Sequence, residues 1–181
     1  AEIATPIARR VETGDSIAVN GVCLTATSVH HRSFVTEVMS ETTARSTLAE
    51  LRKGQRVNLE LPMRLSDRVG GHLVQGHVDG MATVVRTEED GGARRIWLTA
   101  APELLGYMID KGSVALDGVS LTIVEVGRST FEVALIPHTL GATTLGVAKR
   151  GARVNVEVDL IAKYVERLVD GRRVSEKEWI T

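Results

Sequence analysis

Two twelve-residue stretches of this sequence follow one pattern, identical at six positions, and that duplication restricts the folds open to it. Gly14-Asp-Ser-Ile-Ala-Val-Asn-Gly-Val-Cys-Leu-Thr25 returns as Lys111-Gly-Ser-Val-Ala-Leu-Asp-Gly-Val-Ser-Leu-Thr122. Register then holds without a gap, Phe34 falling on Phe131, Thr42 on Thr139, Leu48 on Leu145, Gly54 on Gly151, Asn58 on Asn155 and Glu60 on Glu157. The interval is 97 residues throughout (113 − 16 at Ser16 and Ser113; 157 − 60 at the glutamates). A match this long exceeds one supersecondary unit, so the chain reads as two tandem domains of one fold. Two like domains can hold two like molecules. Their roles can diverge only where the copies differ.

The repeated unit is β-rich. Runs dominated by Val, Ile and Thr (Ser16 to Val19, Leu24 to Val29, Phe34 to Met39, Arg56 to Leu61, and their counterparts) are punctuated by Asn-Gly, Asp-Gly, Lys-Gly and Arg-Gly pairs. That is the chemistry of strands joined by turns. Asn20-Gly21 and Asp117-Gly118 each stand between two such runs, a strong hairpin signal. Five or six short strands per copy predict a small barrel, which removes sheet edges by closing on itself. Short helices are expected over Thr43 to Leu51 and Pro102 to Asp110, with Pro102 suited to a first helical position. Copy two has a long approach, Gly76-His-Val-Asp-Gly80, Met81 to Thr87 and Arg94 to Ala100, whereas copy one has only Ala1 to Thr13. The first domain is therefore expected to lack about one and a half strands that precede residue 1, since a missing strand leaves an open pairing edge.

After the second copy the period changes. Leu160, Ile161, Tyr164, Val165, Leu168 and Val169 recur at helical spacing, with Lys163, Glu166 and Arg167 between them. Asp159 suits the N-cap and Gly171 the stop. A lone helix of this length is marginal in water, so its apolar stripe should cover a barrel or meet copies of itself. The expected domains are 1–70 and 71–158, one barrel each, and 159–181, a helix and tail.

Composition narrows the partners. Across 181 residues the formal net charge is −1 and aromatics make up 3%. No basic stripe offers itself to a phosphate backbone and few rings are available for stacking bases, so nucleic acid is not expected as a partner. No apolar run approaches a membrane span and no secretory segment opens the chain, so no membrane is expected either. The lone Cys23 excludes an internal disulfide and suits a reducing compartment, the cytoplasm. His72 and His77 invite a metal pair, but five residues apart on a strand they would point to opposite faces. No metal site is expected. His30-His31 should lie solvated at a hairpin tip, and Gly70-Gly71 reads as a linker, because no Gly-Lys-Ser/Thr follows to make a phosphate cradle. Lys149-Arg150 and Arg172-Arg173 read as solvated surface, and Ser175 to Thr181 carries no signal.

Four motifs together carry a resemblance: Asn20-Gly-Val-Cys-Leu-Thr25, Gly70-Gly-His-Leu-Val-Gln-Gly-His-Val-Asp79, Asp117-Gly-Val-Ser-Leu-Thr122 and Ile136-Pro-His-Thr-Leu140. In this order, from about Glu12 to Leu168, the chain resembles the riboflavin synthase family of the α-chain type. The resemblance implies an all-β fold of two six-stranded Greek-key barrels, with a C-terminal helix that trimerises the chain and sites between subunits. It implies a cofactor-free dismutation of two molecules of 6,7-dimethyl-8-ribityllumazine to riboflavin and 5-amino-6-(ribitylamino)uracil, by transfer of a four-carbon unit. The family's opening Met-Phe-Thr-Gly segment has no counterpart in the sequence.

Carried over position by position, the implied ligand contacts in the first barrel are Cys23, Leu24 and Thr25, then Glu37, Val38, Met39, Ser40, Glu41 and Thr42. In the second they are Ser120, Leu121 and Thr122, then Ala134, Leu135, Ile136, Pro137, His138 and Thr139. Gly76, His77 and Val78 contribute from between the barrels, and Lys111 reaches a neighbouring subunit's ligand. The resemblance nominates Cys23, His77, Ser16 and Asp159 as catalytic. Residue chemistry agrees at two of these. Histidine is the side chain best suited to act as acid or base at the lumazine 7-methyl group near neutral pH, and His77 qualifies. Cys23 against Ser120 sets a better nucleophile in the first barrel, which would then hold the acceptor. Two competing readings remain. One is a non-catalytic lumazine- or flavin-binding protein of the same fold, which needs neither nucleophile nor base. The other is a flavin-reductase domain, which needs an Arg-x-Tyr-Ser-type phosphate strand and a nicotinamide domain that the sequence does not contain.

Overall fold

A computed structural model describes residues 1–169. Eleven strands fall into two sheets that repeat one plan. In the first, β2 (Ser16–Val19), β3 (Val22–His30) and β4 (Ser33–Thr36) are consecutive hairpins, and β5 (Leu59–Glu60) returns beside β2. In the second, β8 (Ser113–Leu116), β9 (Val119–Val126) and β10 (Thr130–Leu135) repeat the hairpins, and β11 (Arg153–Val158) returns beside β8. A fourth strand lying beside the first of three is a Greek key, and both copies have it.

Closure separates them. A long hairpin, β6 (Gly80–Asp90) and β7 (Ala93–Thr99), joins β10 to β11 and completes a six-stranded barrel in the order β10-β7-β6-β11-β8-β9. The first copy has only β1 (Glu2–Ala4) beside β4, so its five strands stay open between β1 and β5. This agrees with the short approach to copy one. It also explains why the strand expected over Arg56 to Leu61 shrinks to Leu59–Glu60. Its counterpart β11 has neighbours on both sides, and β5 has one.

Alternation along the strands sends one face of each sheet inward. Ile17, Val19, Leu24 and Phe34 form the first core, and Val114, Leu116, Ile123, Phe131, Val133 and Val156 the centre of the second. Each such side chain contributes about 1.5–3 kcal/mol on full burial. The helices are shorter than the sequence pattern suggests. Ser46, whose oxygen accepts from the Leu48 nitrogen, breaks the expected Thr43 to Leu51 segment into α1 (Ser40–Arg45) and a 3-10 turn, Thr47–Glu50. α2 (Pro102–Leu105) ends where the Gly106 nitrogen returns to the Pro102 carbonyl. α3 (Pro137–Ala142) matches α1 in the second copy. Asp159 caps α4 (Leu160–Val169), its Oδ1 accepting from the Ile161 nitrogen at 2.9 Å. Among the described residues no helix is long and apolar enough to cross a membrane. Gly171, Arg172-Arg173 and the tail lie outside the described residues.

The two sheets meet hairpin tip to hairpin tip. Gly21 and Gly118, both at positive φ, touch across the contact, and a Cβ on Gly21 would lie 2.4 Å from the Gly118 nitrogen. The repeated asparagines knit the contact by exchange. Asn155 donates Nδ2 to the Asn20 carbonyl (2.8 Å) and accepts from the Thr47 nitrogen (2.7 Å). Asn58 donates to the Asp117 carbonyl (3.0 Å) and accepts from the Thr144 nitrogen (2.8 Å). Each copy thus fastens the other with the same residue, which gives the pair of sheets a two-fold character.

Candidate functional site

Strand pairing builds the same row on the non-core face of each sheet. In the first, Glu60 of β5 pairs with Ala18, Ala18 with Cys23, and Ser16 with Thr25. In the second, Glu157 pairs with Ala115, Ala115 with Ser120, and Ser113 with Thr122. Small Ala residues at the centre of each row leave room above the sheet. A period of two puts these polar residues on one face and the apolar core on the other. Ala26 pairs with Thr36 and Ile123 with Val133, so segment 37–42 leaves the first sheet beside Thr25, while Ala134 and Leu135 finish β10 against β7 and 136–139 leave beyond them.

The first row and the Ser120 end of the second line one cavity of about 950 Å³, roofed by the strap that links β5 to β6. Ser16, Ala18, Cys23 and Glu60 line it from the first sheet, Gly118 and Ser120 from the second, and Gly71, His72, Gln75 and Gly76 from the strap. Cys23 is half-buried and unbridged. Its backbone nitrogen donates to the Gly76 carbonyl at 2.8 Å, and a Cβ on Gly76 would lie 2.8 Å from that nitrogen. Only glycine, here at φ 80°, lets the strap lie this close.

The strap is fixed to the second barrel. Glu157 Oε1 accepts from the Gln75 nitrogen (2.6 Å), and Oε2 accepts from Gly76 (2.8 Å) and His77 (3.0 Å). Asp79 Oδ2 accepts from the Val158 nitrogen at 2.9 Å, and its other oxygen pairs with Lys163 of α4 at 2.6 Å. His72 packs its Nδ1 against Ser120 Oγ at 2.8 Å. Burial holds the His72 imidazole below its usual pKa, and the charges of Asp159 and Glu157 pull partly the other way.

The nominated residues separate into groups. Cys23, Ser16, Ser120 and Gly76 line the shared cavity. Thr25, Thr122, Ala134, Ile136, Pro137 and His138 are exposed, as are Glu37, Met39, Ser40 and Glu41, while Val38, Thr42 and Thr139 are half-buried. Glu41 is bonded to Arg45 one turn on. The His77 side chain is exposed although its nitrogen is anchored, and Val78 packs on the first core. Asp159 is half-buried as the cap of α4. Lys111 is exposed at φ 63°, where the first copy has Gly14. The side chains of Leu24, Leu121 and Leu135 point into the two cores. The same alternation that exposes their neighbours turns them inward, so only their backbones face the site. The sequence alone assigns no role to Glu157 or Asp79. A signal for Glu157 is present in the repeated Asn-x-Glu at Asn58–Glu60 and Asn155–Glu157, but its backbone partners are brought to it only by the fold.

Known proteins share this organisation. The lumazine binding domain family matches residues 2–62 and again 75–159. A riboflavin synthase of Mycobacterium bovis is 51% identical over 162 residues, spanning 86% of this chain and 80% of its own. A riboflavin synthase of Actinobacillus pleuropneumoniae is 43% identical over 166 residues, spanning 92% and 77%. The crystal structure of LumP complexed with 6,7-dimethyl-8-(1'-D-ribityl) lumazine superposes with a TM-score of 0.78 at 25% identity, over 87% of this chain and 85% of that one. LumP complexed with riboflavin gives 0.79 at 27% identity, over 87% and 86%.

Proposed function

We propose how this chain, which belongs to the lumazine-binding family of riboflavin synthases, arranges its reaction: one ribityllumazine on each polar row, with the first sheet holding the acceptor. Enzymes of this family are transferases that dismutate two molecules of 6,7-dimethyl-8-ribityllumazine. One gives up a four-carbon unit, leaving 5-amino-6-(ribitylamino)uracil, and the other becomes riboflavin. The observation that carries the arrangement is the duplication of Glu60–Ala18–Cys23 as Glu157–Ala115–Ser120. Two like rows present one thiol and one hydroxyl. The complexes of LumP with the lumazine and with riboflavin support both ends of the reaction as ligands of the fold.

Each row meets a flat heterocycle with small residues at its centre and hydroxyls at its ends. Thr25, Thr122, and segments 37–42 and 134–139 supply ring-edge and ribityl contacts, through backbone at Leu24, Leu121 and Leu135 and through side chains elsewhere. Chemistry starts with removal of a proton from the 7-methyl group of the donor, whose ring delocalises the charge. His77 is the base, held at the strap beside the first row. Cys23 adds to the corresponding ring carbon of the acceptor and leaves when the rings have joined, with Ser16 beside it. Setting two substrates against each other supplies much of the rate by proximity alone.

The subunit arrangement completes the site. On α4, Ile161, Tyr164, Val165 and Leu168 are all more than half exposed. Three copies of this stripe bury one another in a homotrimer, placing Asp159 at the subunit junction and Lys111 against a neighbour's ligand. The working division is 1–70 for the first lumazine-binding domain, 71–158 for the second and 159–181 for the trimer helix and tail. A lone free thiol supports a reducing compartment, the cytoplasm, as the site of action. The test is turnover: the protein converts the ribityllumazine to riboflavin without added cofactor. Tight binding with no riboflavin formed would favour the non-catalytic reading instead.

A further inference from the structure

We propose that Glu157 is the positioning residue of this active site, its carboxylate holding Gln75 to His77 where His77 and Cys23 meet the reacting rings. The proposal rests on the roles given above to His77 and Cys23. Three consecutive backbone N–H groups converge on one carboxylate, at 2.6, 2.8 and 3.0 Å. Successive amides pointing at one anion form a cradle, and bonds to a charged acceptor are about twice as strong as neutral ones. Glu157 is 4% exposed, and among the described residues no cation pairs with it. Its hydrogen-bonding capacity is spent on the strap.

From there the effect divides. The third amide belongs to His77 itself. The second belongs to Gly76, whose carbonyl accepts from the Cys23 nitrogen at 2.8 Å. A carboxylate of the second barrel therefore sets the position of a nucleophile in the first. Asp79 tethers the strap too, but farther along, through Val156 and Val158, and not at the catalytic positions. Sheet formation does not demand the glutamate. In the first copy the Glu60 side chain occupies the same row, is exposed to the cavity, and has no hydrogen bond or ion pair among the described residues, yet β5 still pairs with β2. A glutamate in this row forms the amide cradle only where the strap passes over it.

Glu157→Gln tests this, because it removes the charge and turns one acceptor into an NH2 that faces N–H donors. Expected is a fall in kcat of about 100-fold, the scale of a small misplacement at a reacting centre. The KM for ribityllumazine and its equilibrium Kd should change far less than kcat, since Glu157 lies buried at the end of its row with both oxygens bonded to the strap and not turned to a ligand. In a double-mutant cycle with His77→Ala, the double variant should be about as slow as the slower single one. Wild-type kcat in folded Glu157→Gln would overturn the proposal, as would losses that multiply. Full activity of His77→Ala alone would overturn the His77 assignment and this proposal with it, a result separable from the first. Should Glu157→Gln not fold, hydrogen exchange on the unaltered protein decides. The amides of Gln75, Gly76 and His77 should exchange slowly and together although they belong to no strand, and exchange at open-loop rates would overturn the cradle.

Discussion

The second barrel closes and the first sheet does not, yet both carry the same row of residues on the same strands. Closure depends on β6 and β7, which give β10 and β11 their outer neighbours. The rows depend only on three hairpin strands and the one that returns, and these are common to both copies. The site is therefore built by the part of the repeat that the two copies share. The differences that bear on the site include Cys23 against Ser120, Asn20 against Asp117, Gly14 against Lys111 and the whole run Glu37 to Glu41 against Ala134 to His138 in residue type, and Glu60 against Glu157 in surroundings. The glycine–lysine pair is instructive. A non-glycine residue in the left-handed region costs about 1–3 kcal/mol, and the first copy avoids that cost with glycine at φ 97°. The second copy bears it at Lys111, at φ 63°.

The strongest way to break the comparison is to remove the trimer proposed for α4. Ile161→Lys with Val165→Lys sets charges into the exposed stripe of α4 while leaving the barrel core untouched. Sedimentation should show monomers, and turnover should vanish with the trimer while each domain still binds lumazine. A monomer that keeps full activity would mean that the two rows of one chain suffice. Next in size is the exchange of roles between the rows. Cys23→Ser should slow kcat by about 100-fold, the scale of losing an effective nucleophile or proton carrier, with ligand affinity little changed. Ser120→Ala should chiefly weaken lumazine binding, by about 1 kcal/mol for one hydrogen bond. Equal losses of kcat in both variants would erase the division between acceptor and donor. Smaller again is the contact of the tips. Gly21→Ala should lower the urea midpoint by several times more than Gly14→Ala. At Gly21 the new Cβ meets backbone 2.4 Å away, whereas at Gly14 it meets nothing within 4 Å.

Much of this was legible in the sequence, because the repeat prints it twice. Asn20-Gly21 and Asp117-Gly118 located the hairpins, and the motifs around Cys23 and Ser120, through the resemblance, pointed to the strands that carry the rows. Strand and helix ends were less legible. They depend on neighbours, as β5 and β11 show, or on a local competitor such as the Ser46 oxygen. Leu24, Leu121 and Leu135 were carried over with their motifs, although period-two alternation turns their side chains inward. The strap was least legible of all. Nothing local in Gln75-Gly76-His77 says that its amides meet a carboxylate some eighty residues later, since that contact exists only once β11 lies beside β8.

The finest test of the comparison lies at the tips. Asn20 and Asp117 are equivalent, both buried and at φ 45° and 46°. Each uses Oδ1 in the same way, Asn20 accepting from the Asn58 nitrogen at 2.7 Å and Asp117 from the Asn155 nitrogen at 2.8 Å. Only Asp117 can ionise. Burial raises its pKa from 3.8 to about 7, against a smaller lowering by the Asn155 hydrogen bond. Between those values the folded state holds a proton that the unfolded chain has released, so stability must fall as pH rises. The contribution is complete below pH 3.8, declines through the interval and is absent above about 7. Asp117→Asn installs the residue that the first copy already uses. Urea unfolding should find the variant more stable at pH 8 by about 2–4 kcal/mol, since a pKa difference of one is worth about 1.4 kcal/mol, and equal to the parent near pH 4. Asn20→Asp should do the reverse and lose stability on the alkaline side only. A pH slope unchanged by Asp117→Asn would show that the carboxyl reaches water in the native state, and that the two tips differ in composition without differing in energy.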